Sequence, residues 1–326
     1  MSITAKTAEK RVPEAPPAAI RPGSFRAWAV AARPRSLLVA ISPVLVGAAL
    51  GYQRTGAIDP WAALLVLGAA LLMQVITNMQ NDVGYTVRGG ERSGTRTGLP
   101  RATANGWLSV RHVRAGIVVA ALLAAGFGLA LVAWRGWPVL AIGCASLLAA
   151  LAYMGGPRPI AYTPYGELTV FVFFGLVAVI GTDWVLTGSV GAVSTLAAVA
   201  IGGLAAAALA VNNHRDIAHD RLVGRRTFAV TFGERGSLAL YTALLFTPFA
   251  LLPAMAAWAR APALLLPLLL LPAAWRLRHA FRVCPRGTAF NAVLFRTFRL
   301  ELAFAALLSA GAVIGHISGH SAGLAG

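Results

Sequence analysis

Apolar positions along the chain gather into nine long stretches, roughly 36–53, 60–80, 113–133, 137–154, 166–187, 190–211, 236–257, 262–277 and 298–316. Each is near the ~20 residues that an α-helix needs to cross a hydrocarbon core of ~30 Å. The pattern therefore predicts an all-α polytopic membrane protein with nine transmembrane helices. The fourth and eighth stretches are the weakest, the eighth because Pro267 and Pro272 interrupt it.

Basic residues sort by side of the membrane. Seven Lys or Arg precede the first helix, and six, one, five and six fall in the alternate loops that would share its side. The opposite side receives only Arg54, Arg135 and Arg260. This asymmetry predicts a cytoplasmic N-terminus, an external C-terminus and an odd number of spans. It also puts every acidic cluster on the cytoplasmic face of the cell (inner) membrane.

Composition agrees. With 58% hydrophobic and 12% charged residues, and a mean hydropathy of +0.71, the chain falls outside the range of soluble globular proteins. Its net charge of +17 is carried by short loops between apolar segments, so it reads as bilayer orientation and not as nucleic-acid binding. Cys144 and Cys284 have no metal spacing and no obvious mate. Residues 1–25, rich in Pro, Ala and charge and lacking an apolar core, read as a disordered cytoplasmic tail, with residues 26–326 as the transmembrane domain.

Acidic residues change the picture. Of eleven in the chain, Asp82, Glu91, Asp216 and Asp220 sit at the ends of the second and sixth apolar stretches. Each patch begins with an Asn followed four residues later by an Asp: Asn78 and Asp82, then Asn212 and Asp216, with Asp220 four further on. On a continuing helix Asn212, Asp216 and Asp220 share one narrow arc. A single such patch reads equally well as a solvated helix end. Two at corresponding places, in a chain almost devoid of acids, read as functional. Carboxylates and amides are hard oxygen donors suited to Mg²⁺ shared with a phosphate-bearing ligand, and the neighbouring arginines suit the rest of the anion.

The loop YMGGPRPIAYTPYGE at 153–167 sets Tyr153, Tyr162 and Tyr165 beside Arg158 and Glu167 at the same boundary. An interfacial aromatic belt and the lining of a site are both compatible with it. Asp183, near the outer end of the fifth stretch, reads as a solvated helix end, and His214 and His219 stand on faces away from the aspartates. Two acidic patches above an apolar helical cavity call for a ligand with a diphosphate and a long hydrocarbon tail, as in prenyl diphosphates.

The second patch, Asn212, Asp216 and Asp220 followed by RLVGRRTFAVTFG, resembles the second aspartate-rich motif of the UbiA superfamily of intramembrane prenyltransferases, and NMQND at 78–82 resembles the first. AARPRSLLVAISPVLVG (31–47), GLPRA (98–102), the stretch 153–182 and FNAVLFRTFRLELAF (290–304) are similar to the 1,4-dihydroxy-2-naphthoate polyprenyltransferase branch. The resemblance implies a nine-helix bundle around a central cavity, dependence on Mg²⁺, and transfer of a polyprenyl group from its diphosphate to an aromatic acceptor, with dihydroxynaphthoate in menaquinone-type biosynthesis the foremost candidate. It implies that Asn78, Asn81, Asp82, Asn212, Asp216 and Asp220 hold metal and diphosphate. Arg88, Arg96, Arg101 and Arg225 or Arg226 would be anion partners, and Tyr153 and Arg158 would lie near the reacting carbon or the acceptor.

One position departs. The first motif of that family usually reads NDxxD, and here the second Asp is Tyr85. A phenol, with a pKa near ~10, is a poor Mg²⁺ ligand. Glu91, beyond the GG turn at 89–90, is a candidate replacement. The departure leaves two alternatives: another hydroxyaromatic acceptor, or a non-catalytic lipid-binding protein with a degenerate first motif.

Overall fold

The computed structural model describes residues 20–90 and 97–324, with side chains as far as Ser318. A short helix α1 (Phe25–Ala32) is capped by the Ser24 hydroxyl, which accepts from Ala27 N at 3.3 Å. The described part of the predicted tail is tied down as well, since Gly23 N donates to the Trp107 carbonyl at 2.8 Å. A turn at Pro34–Leu37 then leads into α2 (Leu38–Thr55). The long elements that follow are α3 (Pro60–Val87), α4 (Val110–Arg135), α5 (Trp137–Met154), α6 (Gly166–Thr187) and α7 (Ala192–Arg215). After a short α8 (Ile217–Leu222) come α9 (Phe228–Ala259), α10 (Pro262–Val283) and α11 (Phe290–Leu324).

Nine described segments are long and apolar enough to span a membrane, and they coincide with the nine predicted stretches. The chain is a multi-pass membrane protein. The helices outrun the apolar stretches at their polar ends: α3 continues to Val87 and α7 to Arg215. Hydropathy stops where the charges begin, but the backbone ladder does not. Asn78, Asp82 and Tyr85 therefore share one face of α3, four and then three residues apart.

The bundle is centred on α7. Its run of Ala and Gly is buried almost all round, and the largest core forms where it meets α9, α2, α6 and α11, with Tyr241, Leu245, Phe281 and Phe304 fully enclosed. Small side chains let helix backbones approach closely where lipid offers no hydrophobic force to drive association. One tight case is the crossing of α6 and α7, where a Cβ on Gly175 would lie 2.7 Å from the Gly202 Cα. This crossing falls within Phe171–Ile180, where α6 loosens into π-helical turns. Gly175→Leu is expected to force the helices apart and cost about 3 kcal/mol or more. The check is a fall in melting temperature of the detergent-solubilised protein, with a smaller fall for Gly175→Ala.

A second core joins α1, α3 and α4 through Ile76, Met79, Val83, Val113 and Ile117. Helix α5 packs on α3 and α4, whereas α6 packs on α2 and α7, so α5 and α6 scarcely touch along their apolar lengths. Both nevertheless line one central cavity, through Gly143 and Leu147 on one side and Phe173 and Val177 on the other. The cavity therefore lies between these two helices.

At the ends of α2 and α6 away from the acidic motifs, Asp183 is fully buried. It accepts from Arg54 at 2.8 Å and from Gly191 N at 3.0 Å. The sequence expectation of a solvated helix end is corrected here: an arginine and a backbone amide take the place of water.

Candidate active site

The cavity has a volume of about 1250 Å³, above the roughly 300–1,000 Å³ of ordinary small-molecule pockets. Most of its wall is apolar. Its polar end is built by Gln74, Asn78 and Asn81 from α3, Asn212 and Arg215 from α7, Ser36, and the arginines Arg26, Arg33 and Arg35. No carboxylate lines it among the described residues. The wall thus offers amides and guanidiniums, the groups that bind anions.

Asn78, the first residue of the first motif, donates to the Ala32 carbonyl and the Ser36 hydroxyl, both at 2.8 Å, so α3 is pinned to the turn carrying Arg33 and Arg35. Gln74, one turn earlier, donates to the same hydroxyl at 3.2 Å. Asp82 is fully buried and faces the loop after α3. Its carboxylate accepts from Ala102 N at 2.8 Å, from Thr103 N at 2.9 Å and from the Thr103 hydroxyl. Those bonds hold the neighbouring Arg101 over the Tyr85 ring, 3.7 Å from its centroid. Asp82 therefore sits in the structure as the anchor of this loop.

At the second motif the assumed continuous helix is interrupted. Asp216 leaves helical geometry (φ −97°, ψ 12°), and α8 starts anew. The i to i+4 bonds survive the break, Asp216 N to Asn212 O at 3.1 Å and Asp220 N to Asp216 O at 2.8 Å, so the three side chains stay grouped. Arg215 grips the Asp216 carboxylate through both oxygens, at 2.8 and 2.6 Å, and its third nitrogen donates to Asn291 Oδ1 at 2.6 Å. Arg215 also lines the cavity, so Asp216 stands directly behind a cavity-facing guanidinium. Asp220 is fully buried. Burial pushes its carboxyl up to about 6, against the opposing pull of Arg225. One of its oxygens accepts from Arg225 at 2.7 Å, and Oδ2 is buried with no hydrogen-bond partner.

The two motifs meet through Arg225. Its guanidinium donates to the Tyr85 hydroxyl, to Asp220 Oδ1 at 2.7 Å and to the Ala161 carbonyl at 3.1 Å. Asp220 and the neighbouring phenols hold it firmly protonated despite its burial. Of the alternatives Arg225 and Arg226, only Arg225 points into this cluster, since the Arg226 side chain is exposed. Tyr153 is buried and lines the cavity, whereas Tyr165 is exposed, so the tyrosines divide between lining and belt. Tyr162, half-buried near Arg225 and Arg88, has its hydroxyl pushed up by desolvation.

Arg88 is exposed and donates to the Gly156 carbonyl, and Arg158 is exposed as well. Neither lines the cavity. Glu91 and Arg96 lie outside the described residues. Sequence reasoning passed over Arg26, Arg33, Arg35, Gln74 and Ser36 as site residues. Gln74 carried a signal, being four residues before Asn78 and eight before Asp82 on one helix face. Nor was the bond from Asn213 to Glu167, 2.9 Å long and buried, foreseen.

The donor set can be tested against a hard cation. The second motif fits one: Asp216 and Asp220 are close enough to raise each other's energy as anions, and Asp220 Oδ2 is a buried acceptor with nothing to accept. The first motif fits less well, because Asp82 is engaged by the loop and Tyr85 has no carboxylate. No three His, Cys, Asp or Glu side chains converge among the described residues.

Known proteins are similar to this chain in sequence and in fold. The 1,4-dihydroxy-2-naphthoate octaprenyltransferase of Escherichia coli is 34% identical over 226 residues, covering 68% of this chain and 73% of its own length. The enzyme of that name from Mycobacterium tuberculosis is 36% identical over 222 residues, covering 68% and 75%. A UbiA homologue from Archaeoglobus fulgidus bound to GPP and Mg²⁺ superposes with a TM-score of 0.61 at 17% identity, over 88% of this chain and 99% of that one. The model of the UbiA prenyltransferase family matches residues 40–314. With that match across both motifs and all nine spans, the chain belongs to the UbiA prenyltransferase family.

Proposed function

We propose that this prenyltransferase moves a polyprenyl group from its diphosphate to a carboxylate-bearing aromatic acceptor of the 1,4-dihydroxy-2-naphthoate type, with Mg²⁺ as cofactor. The observation that carries the reading is the cavity itself, an apolar chamber whose polar end holds Arg26, Arg33, Arg35 and Arg215 and, among the described residues, no acid. Both substrates are anions with apolar bodies, and this wall matches both. The names of the Escherichia coli and Mycobacterium tuberculosis relatives support the acceptor class, and the GPP and Mg²⁺ in the Archaeoglobus fulgidus structure support donor and metal.

Mg²⁺ bound by the second motif would neutralise the departing diphosphate. The chain's own residues do the rest. Arg215, held by Asp216 and Asn291, lines the cavity and would present its guanidinium to the diphosphate. The apolar wall of α5 and α6 keeps water from the allylic carbon while its C–O bond breaks, the diphosphate departs, and a C–C bond forms to a ring carbon that gives up a proton, or its carboxyl group as CO₂. The Tyr153 ring stands at the boundary between the polar end and that wall, where the carbon develops positive charge.

We assign the polar end of the cavity to the cytoplasmic side of the cell membrane. Arg54, Arg135 and Arg260 cap the opposite helix ends, in keeping with the positive-inside bias. Purified protein in lipid nanodiscs, given Mg²⁺, a labelled polyprenyl diphosphate and dihydroxynaphthoate, is expected to form prenylated product. Absence of product with any hydroxyaromatic acid would reject the reading. Arg35→Ala is expected to raise the KM of an anionic substrate by roughly 10- to 100-fold, the loss of one charged hydrogen bond, read by varying donor and acceptor separately.

A further inference from the structure

Where the family's first motif places a second aspartate, this chain has Tyr85, and the structure puts a guanidinium against it. Arg225 joins the Tyr85 hydroxyl of α3 to Asp220 Oδ1 after α7, and its side chain is 6% exposed. Arg101 covers the Tyr85 ring from another side, 3.7 Å from the centroid. An oxygen of one motif is thus linked to an oxygen of the other by a buried, permanent positive charge. That is the service a bridging divalent ion would perform between two carboxylates.

We propose that the Arg225 guanidinium, seated on Tyr85, occupies the cation position of the first motif, so that the loaded site takes one exchangeable divalent ion at the second motif. The inference rests on the Mg²⁺-dependent reading above. Three features converge on it. Tyr85 removes the carboxylate that would draw a metal to α3. Asp82, the remaining acid of that motif among the described residues, is engaged by two backbone amides and a hydroxyl. Asp220 divides its carboxylate, one oxygen to Arg225 and the other, Oδ2, buried and unpartnered beside Asp216. A guanidinium cannot leave with the product, so half of the charge compensation is preorganised before substrate arrives. Mg²⁺ commonly binds through one or two carboxylates with substrate phosphates completing its shell, which the second motif can provide alone.

The test counts ions. Full-length protein in nanodiscs is dialysed to equilibrium against Mn²⁺ and geranyl thiolodiphosphate, a donor analogue that resists ionisation, and both bound species are counted per chain. One Mn²⁺ per bound analogue is expected for the native sequence, and two for Tyr85→Asp/Arg225→Gln, which restores the carboxylate and removes the built-in cation. Two ions in the native protein would overturn the inference and point to Glu91 as the missing ligand, leaving Mg²⁺ dependence intact. No ion, with analogue bound, would overturn the Mg²⁺-dependent reading itself. A single ion in both proteins would reject the assignment of Arg225 and Tyr85. If the double variant does not fold, the native count alone still decides between one ion and two.

Discussion

Asp216→Asn is expected to lower turnover by about 10³-fold or more, well beyond what its fall in melting temperature accounts for. The size follows from what the residue is placed to do. Removing one preorganised group that stabilises developing charge in a dry site costs about 3–4 kcal/mol, and loss of a metal ligand adds to it. The fold loses one hydrogen bond and the charge of a buried ion pair, a cost limited because an amide still accepts one hydrogen bond from Arg215, which keeps its bond to Asn291. Steady-state product formation at saturating Mg²⁺, beside a thermal melt, separates the two effects. Native activity in Asp216→Asn would refute the assignment of metal and diphosphate to the second motif. The non-catalytic alternative predicts that the unaltered chain, with Tyr85 in place, is already silent.

The nine spans were legible because burial in lipid requires every one of them to be apolar for its full length, and no tertiary contact can override that need. The second motif was legible for the opposite reason: Asp216 and Asp220 are costly at a membrane boundary, and the sequence spends few acids elsewhere. What escaped is the assignment of roles within the site. Asp82 and Asp216 look alike as Asn-x-x-x-Asp signatures, yet one faces a loop and the other stands behind a cavity-facing arginine. Only the path of residues 97–109 decides this, and a loop broken by Gly98, Pro100 and Gly106 has no period to read. Arg33 and Arg35 were hidden because they lie in a turn before the first span, where basic residues are already explained by orientation. Asp183 misled because a helix end next to solvent and one capped by Arg54 look the same until α2 and α6 are set side by side.

That difference between the two aspartates makes the other large effect one of stability. Asp82→Ala leaves the N–H groups of Ala102 and Thr103 without their acceptor inside the protein, while the Thr103 hydroxyl keeps the Asp82 backbone carbonyl at 3.1 Å. Each such orphan costs about 1–3 kcal/mol, so a loss of roughly 2–4 kcal/mol is expected once the loop has relaxed. The loop also loses the bond between the Thr86 and Thr103 hydroxyls, 2.6 Å long, as Thr103 moves away. Two measurements follow. The melting temperature of metal-free protein should fall sharply, and trypsin should gain access to Arg101, which is only 4% exposed in the folded chain. Asp82→Asn, keeping one acceptor oxygen, should fall between. A residue whose sole task was to hold a metal would give the contrary result, no change in the melt when EDTA is present. Because Arg101 is carried by the same loop and lies over Tyr85, loosening it also removes a cation from the junction of the two motifs. Activity in Asp82→Ala is therefore expected to drop even at temperatures where the protein stays folded.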